Sequence, residues 1–131
     1  MTLYDARRFS VWSNFFFLVP LYVAFTNNLW VAVGLICSVV IFGLGYHLSR
    51  RRYLLEFDST AGWLLIGTNW ALCYIGNFAF PYFAYALAAL CAGMYFFYWG
   101  QEKYDYELNH GLWHLSCALI TLFSILTYVY A

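Results

Sequence analysis

Residues 9–49 read FSVWSNFFFLVPLYVAFTNNLWVAVGLICSVVIFGLGYHLS and contain no Asp, Glu, Lys or Arg. A helix needs about 20 apolar residues to cross roughly 30 Å of hydrocarbon. This block is long enough for two crossings with a turn between them. Thr26, Asn27 and Asn28 supply the turn, because short polar side chains interrupt the apolar run there.

Working outward, the same pattern recurs. Residues 59–101 and 108–131 are also free of Asp, Glu, Lys and Arg. The second block holds two crossings, interrupted at Asn77 to Pro81, where Pro81 suits the first turn of a new helix. The third block holds one. The reading is an all-α integral membrane protein, a single domain over 1–131 built as a bundle of about five transmembrane helices. The predicted spans are 10–26, 29–49, 60–78, 81–99 and 109–130. Pro20 should kink the first span or leave a carbonyl without a donor.

Composition agrees. The chain has 131 residues, 65% hydrophobic and 9% charged, against about 45–50% and about 25% in soluble domains. Too little polar surface exists to cover a soluble domain. Net charge is zero, so nucleic acid is not an expected partner. No repeat or low-complexity tract is present. The first span has a basic flank but no small-residue cleavage site before the second, so it reads as a retained helix rather than a cleaved signal.

Five crossings leave residues 1–9, 50–59 and 100–108 on one side. All six Lys and Arg lie in those segments. The positive-inside rule then makes the N-terminus cytoplasmic and the C-terminus outside. Cys37, Cys73, Cys91 and Cys117 are dispersed within the spans, with no CxxC pair, and read as small buried apolar residues. Ser38, Thr68 and Asn69 fall in mid-span and read as polar glue between helices. Gly43 and Gly45 read as points of close approach.

The chemistry-bearing residues concentrate at one membrane face. His47 ends the second span, His110 and His114 begin the fifth, and Asp58 precedes the third. His110 and His114 are four apart, so they share one helix face. Three neutral imidazoles with one open position are the usual ligand set of a catalytic zinc. Zinc lowers the pKa of a bound water to about 7, and a nearby carboxylate could take its proton. Other readings stay open. A histidine at an interface is ordinary, Asp58 followed by Ser59 and Thr60 is a good helix cap, and His47 with His110 or His114 could ligate a haem. Asp105 or Glu107 could orient a histidine N–H or could be solvated loop charges. Tyr46, Trp63 and Trp113 read first as interface aromatics.

Gly45-Tyr46-His47, Asp58 eleven residues on, and His110-Gly111-Leu112-Trp113-His114 together resemble the CREST superfamily. That group includes alkaline ceramidases, adiponectin-receptor-like and myomaker-like membrane proteins. Leu54 to Ser59, Glu102 to Tyr106, and Ser13-Asn14 followed by a Phe-rich run and Pro20 are similar to the myomaker-like branch. The resemblance implies zinc on His47, His110 and His114, with Asp58 as water-orienting residue or general base. It implies hydrolysis of a lipid amide or ester, the membrane lipid being substrate or ligand. The sequence departs from the family in three respects. Gly43 stands where the family often has Ser, five helices stand for seven, and Asp5 is the only acid near the N-terminus, so the ceramidase calcium site has no match. The thinner wall of a five-helix member would open to lipid or be closed by another copy or a partner membrane subunit. The alternatives are a non-catalytic relative with a structural metal, a small accessory subunit of a membrane complex, and a haem protein.

Overall fold

The computed structural model of the protein describes residues 8–131, so Asp5 and Arg7 lie outside the described residues. Five helical rods follow one another: α1 (Phe9–Thr26), α2 (Trp30–Ser49), α3 (Arg52–Ile75), α4 (Tyr82–Lys103) and α5 (Tyr106–Val129). There is no strand among the described residues. Four of the rods, α1, α2, α4 and α5, are long and apolar enough to cross a membrane. The 24-residue α3 is as long as α5 but less apolar.

The predicted turns are where the chain reverses. Asn28 (φ 59°) and Asn77 (φ 50°) adopt the left-handed conformation that Asn tolerates best among residues with a side chain. Leu29 N–H then reaches Ala24 C=O at 2.9 Å and Phe78 N–H reaches Cys73 C=O at 2.8 Å, closing the ends of α1 and α3. The expected ten-residue cytoplasmic loop at 50–59 is overturned. The break is confined to Arg50 and Arg51, and α3 starts at Arg52. Charged residues continue a helix readily where it emerges from the apolar layer, which a charge-based boundary cannot detect. Asp58 therefore lies in the second turn of α3, and its reading as a helix cap is corrected.

Pro20 has no N–H for the Phe16 carbonyl. The turn before it, Ser13–Phe17, is wound as a tighter 3-10 helix. A second irregularity is a π-helical turn at Phe96–Gly100 in α4.

Short connections force neighbouring rods antiparallel. α1 and α3 each pack against both α2 and α5, so α2 and α5 face one another across the middle, and α4 packs on the far side of α5. Small residues make the α4–α5 seam: Ala86, Ala89 and Gly93 are buried on one face of α4, and Ser116 is buried on α5. The core runs through Phe17, Ile36, Leu65 and Ile125. Outside it, large apolar side chains such as Trp63 (73% exposed) and Trp70 point away from the bundle, as lipid-facing residues do.

Of the three mid-span polar residues, only Asn69 bridges helices. Its Nδ2 donates to Thr121 Oγ1 of α5 at 3.0 Å, in the core. Ser38 and Thr68 instead donate to Gly34 and Leu64 carbonyls of their own helices, because a hydroxyl is short enough to reach back one turn. Among the cysteines, Cys73 is buried and Cys91 is exposed, so burial does not hold for all four.

Candidate metal centre

Antiparallel order brings the end of α2, the start of α5, the start of α1, the start of α3 and the end of α4 to one end of the bundle. His47 is the last inward-facing residue of α2 and is 3% exposed. His110 and His114 stand one turn apart on α5 and face it. One ligand atom from each ring lies within 4.8 Å of the other two. The ring centroids are 5.1 Å (His47–His110), 5.3 Å (His47–His114) and 4.5 Å (His110–His114) apart. All three predicted histidines therefore converge, across the gap between two helices that face each other without directly packing. The cluster could hold a metal ion.

The surroundings of each ring test that fit. Ser13 Oγ sits 2.7 Å from His114 Nδ1. Gln101 Oε1 sits 3.0 Å from His110 Nδ1. Both contacts engage Nδ1 and leave Nε2 to the cluster. His47 has a buried Nδ1 with no hydrogen-bond partner. A buried polar atom without a partner costs about 1–3 kcal/mol, and a cation among three nitrogen lone pairs would remove that cost. The donor set is nitrogen only, which suits zinc, copper, iron or nickel rather than calcium or magnesium.

Asp58 is not among the three residues whose ligand atoms gather, and the structure places it against α2 at Gly43. Gly43 and His47 are one turn apart on α2. A Cβ at Gly43 would lie 3.4 Å from Asp58 Oδ1 and 2.6 Å from Asn14 Oδ1. The carboxylate and the Asn14 amide thus border the same point, one helical turn deeper than His47. Asn14 is 1% exposed, and its Nδ2 donates to Ser10 C=O (2.8 Å) and Val11 C=O (3.1 Å). Its oxygen is thereby turned toward Gly43. The space that a serine side chain would need on α2 is filled from α1, by an acceptor rather than a donor.

Two expectations about the ring partners are corrected. Asp105 caps α5, accepting from Leu108 N–H at 3.2 Å. Glu107 accepts from Ser10 N–H at 3.4 Å. Neither accepts from a histidine N–H: Asp105 stands at the N-cap and Glu107 in the first turn of α5, each with a backbone N–H as its partner. Among the aromatics, Tyr46 and Tyr106 pack on the cluster, with ring centroids 5.3 Å from His47 and 5.0 Å from His110. Trp113 packs away from it on Phe97 at 4.9 Å, and Trp63 faces outward.

Sequence reasoning assigned no role to Ser13, Asn14 or Gln101. Ser13 and Asn14 left a trace, as two adjacent polar residues in an otherwise apolar span at the histidine end. Gln101 left none. It closes an uncharged block, and only the path of α4 brings it to His110. Comparison with protein-family models, with curated proteins and with solved structures finds no match for this chain.

Proposed function

We propose that the chain is a five-crossing membrane protein of CREST type, with α3 as the fifth crossing and the N-terminus cytoplasmic, acting as a zinc-dependent hydrolase of a lipid amide or ester. One observation carries the reading: three imidazoles, two of them held through Nδ1 and the third with an orphaned buried nitrogen, converge at one face of an apolar bundle. His47, His110 and His114 would hold the ion. Zinc bound there supplies Lewis-acid polarisation of a carbonyl and makes water acidic enough to act as a nucleophile near neutral pH.

The chain's own residues supply the rest. Asp58, half-buried beside Gly43, accepts the proton of the attacking water and returns it to the leaving amine or alkoxide. The surrounding apolar helices exclude bulk water and receive the lipid's acyl chain. Haem is the weaker fit. A macrocycle needs imidazoles on opposite faces with space between them, and here all three ring centroids lie within 4.5–5.3 Å of one another.

A specific observation favours a second reading, a non-catalytic relative with a structural metal. Both Asn14 donors are spent on its own helix, so no side-chain donor is presented beside Asp58. One experiment separates these readings. Elemental mass spectrometry on the detergent-purified chain should give about one zinc per chain, lost in His110→Ala/His114→Ala. Asp58→Asn should keep the zinc while lowering turnover of a lipid amide panel by about 10²–10⁴-fold. Zinc without turnover on any lipid selects the non-catalytic reading. A folded chain without metal sinks both.

A further inference from the structure

We infer that Ser13 and Gln101 are positioning residues that hold His114 and His110 through Nδ1, and that Gln101 locks His110 in the Nδ1–H tautomer, so that this ring presents the Nε2 lone pair to the centre. The purpose of such a lock rests on the metal reading above, but the tautomer itself is a property of the metal-free chain.

His110 and His114 are one turn apart on the same helix face, so their rings approach the centre from one side. A neutral imidazole has one N–H and one lone pair, and whichever nitrogen carries the proton cannot ligate. Gln101 settles the choice for His110: its amide oxygen is an acceptor only, 3.0 Å from Nδ1, and so takes an N–H there. Ser13 Oγ lies 2.7 Å from His114 Nδ1, with Ser13 itself fully buried; a hydroxyl can donate or accept, so this contact holds the ring in place without choosing its tautomer.

The helices that carry these two residues depart from α geometry at these positions. Ser13 opens the 3-10 segment Ser13–Phe17 of α1, and Gln101 directly succeeds the π turn Phe96–Gly100 of α4. These are the two non-α segments among the described helices. A π turn takes in one more residue than an α turn, so the residues beyond it are rotated about the axis relative to an unbroken helix. In α4 that rotation carries Gln101 to the face toward α5. Gly100, the last residue of the π turn, permits the approach: a Cβ there would overlap the Asn109 amide oxygen. The irregular turns cost regular hydrogen bonding, and each delivers a polar side chain to a different histidine.

The test reads tautomers first. Chain labelled with 15N-histidine and stripped of metal by chelator is examined at pH 8, above the usual imidazole pKa of about 6.5, by long-range 1H–15N correlation. Nδ1–H is expected on His110, assigned by the single His→Ala variants. Ser13→Ala should leave the His110 tautomer unchanged, and Gln101→Leu should release it. Gln101→Glu, which keeps an acceptor, should restore it. Zinc affinity, measured by competition with a chelating dye, should fall about 10–100-fold in Ser13→Ala and in Gln101→Leu, and recover in Gln101→Glu. Nε2–H on His110 of the parent overturns the inference. So do a His110 tautomer and a zinc affinity that are unchanged in Gln101→Leu. A parent with the expected tautomer that takes up no zinc leaves the lock standing and overturns the metal reading, so the two failures are distinct.

Discussion

Gly43→Ala tests whether Asn14 really fills the space beside Asp58. In a helix interior, Gly→Ala gains about 0.8–1.0 kcal/mol. At Gly43 the new methyl would stand 2.6 Å from Asn14 Oδ1, well inside contact distance. Asn14 is buried and tied to Ser10 and Val11 carbonyls at 2.8 and 3.1 Å. Moving it breaks or strains two hydrogen bonds of about 0.5–1.5 kcal/mol each, in line with the roughly 1–3 kcal/mol typical of overpacking. The steric loss outweighs the helical gain, so Gly43→Ala should destabilise by about 1 kcal/mol. Gly34 provides the control on the same helix. A Cβ there meets nothing within 4 Å. Gly34→Ala should stabilise by up to about 1 kcal/mol. Reversible unfolding in mixed detergent should therefore separate the two variants by about 2 kcal/mol. Asn14→Ala should abolish the Gly43→Ala penalty, giving a coupling of about 1–2 kcal/mol in the double-variant cycle. If Gly43→Ala matches Gly34→Ala, or if the Asn14 and Gly43 effects simply add, Asn14 does not occupy that space.

Asn69→Ala and Thr121→Val should couple by about 0.6 kcal/mol, the usual scale for a hydrogen bond between membrane helices; zero coupling in the same unfolding assay would remove Asn69 as a bridge. Asp105→Ala should cost about 1 kcal/mol through loss of the α5 N-cap, with a larger effect on hydrogen exchange at Leu108 than elsewhere in α5. The proposed orientation predicts that, in sealed vesicles of known sidedness, a membrane-impermeant thiol reagent labels Arg51→Cys only from the cytoplasmic face and Tyr130→Cys only from the opposite one. Labelling of both from the same face would mean an even number of crossings between them and would exclude α3 as the fifth span.

The helical class, the reversals at Asn28 and Asn77, and the gathering of His47, His110 and His114 at one end were legible in the 131 residues. Each depends on local composition or on parity. An apolar run must satisfy its backbone within itself, so it becomes helical. An odd number of crossings between two residues then brings them to opposite ends, and an even number to the same end. The sequence also marked the four residues of the candidate centre by type, because only a few side chains ligate metal or move protons.

Tertiary structure decided what stands around those residues. Where α3 begins, six residues before Asp58, was hidden because charged residues are as compatible with an emerging helix as with a loop. That Asn14 takes the space beside Gly43, and that Ser13 and Gln101 rather than Asp105 and Glu107 hold the rings, depends on how each rod is rotated about its own axis. Rotation is set by the packing of small residues such as Ala86, Ala89 and Gly93 and by the 3-10 and π turns. Those turns carry little signature in an apolar run of Phe, Tyr and Trp. Hydropathy reports how deep a residue sits along a membrane normal, whereas hydrogen-bond partners depend on direction around the helix, which only the packed bundle determines.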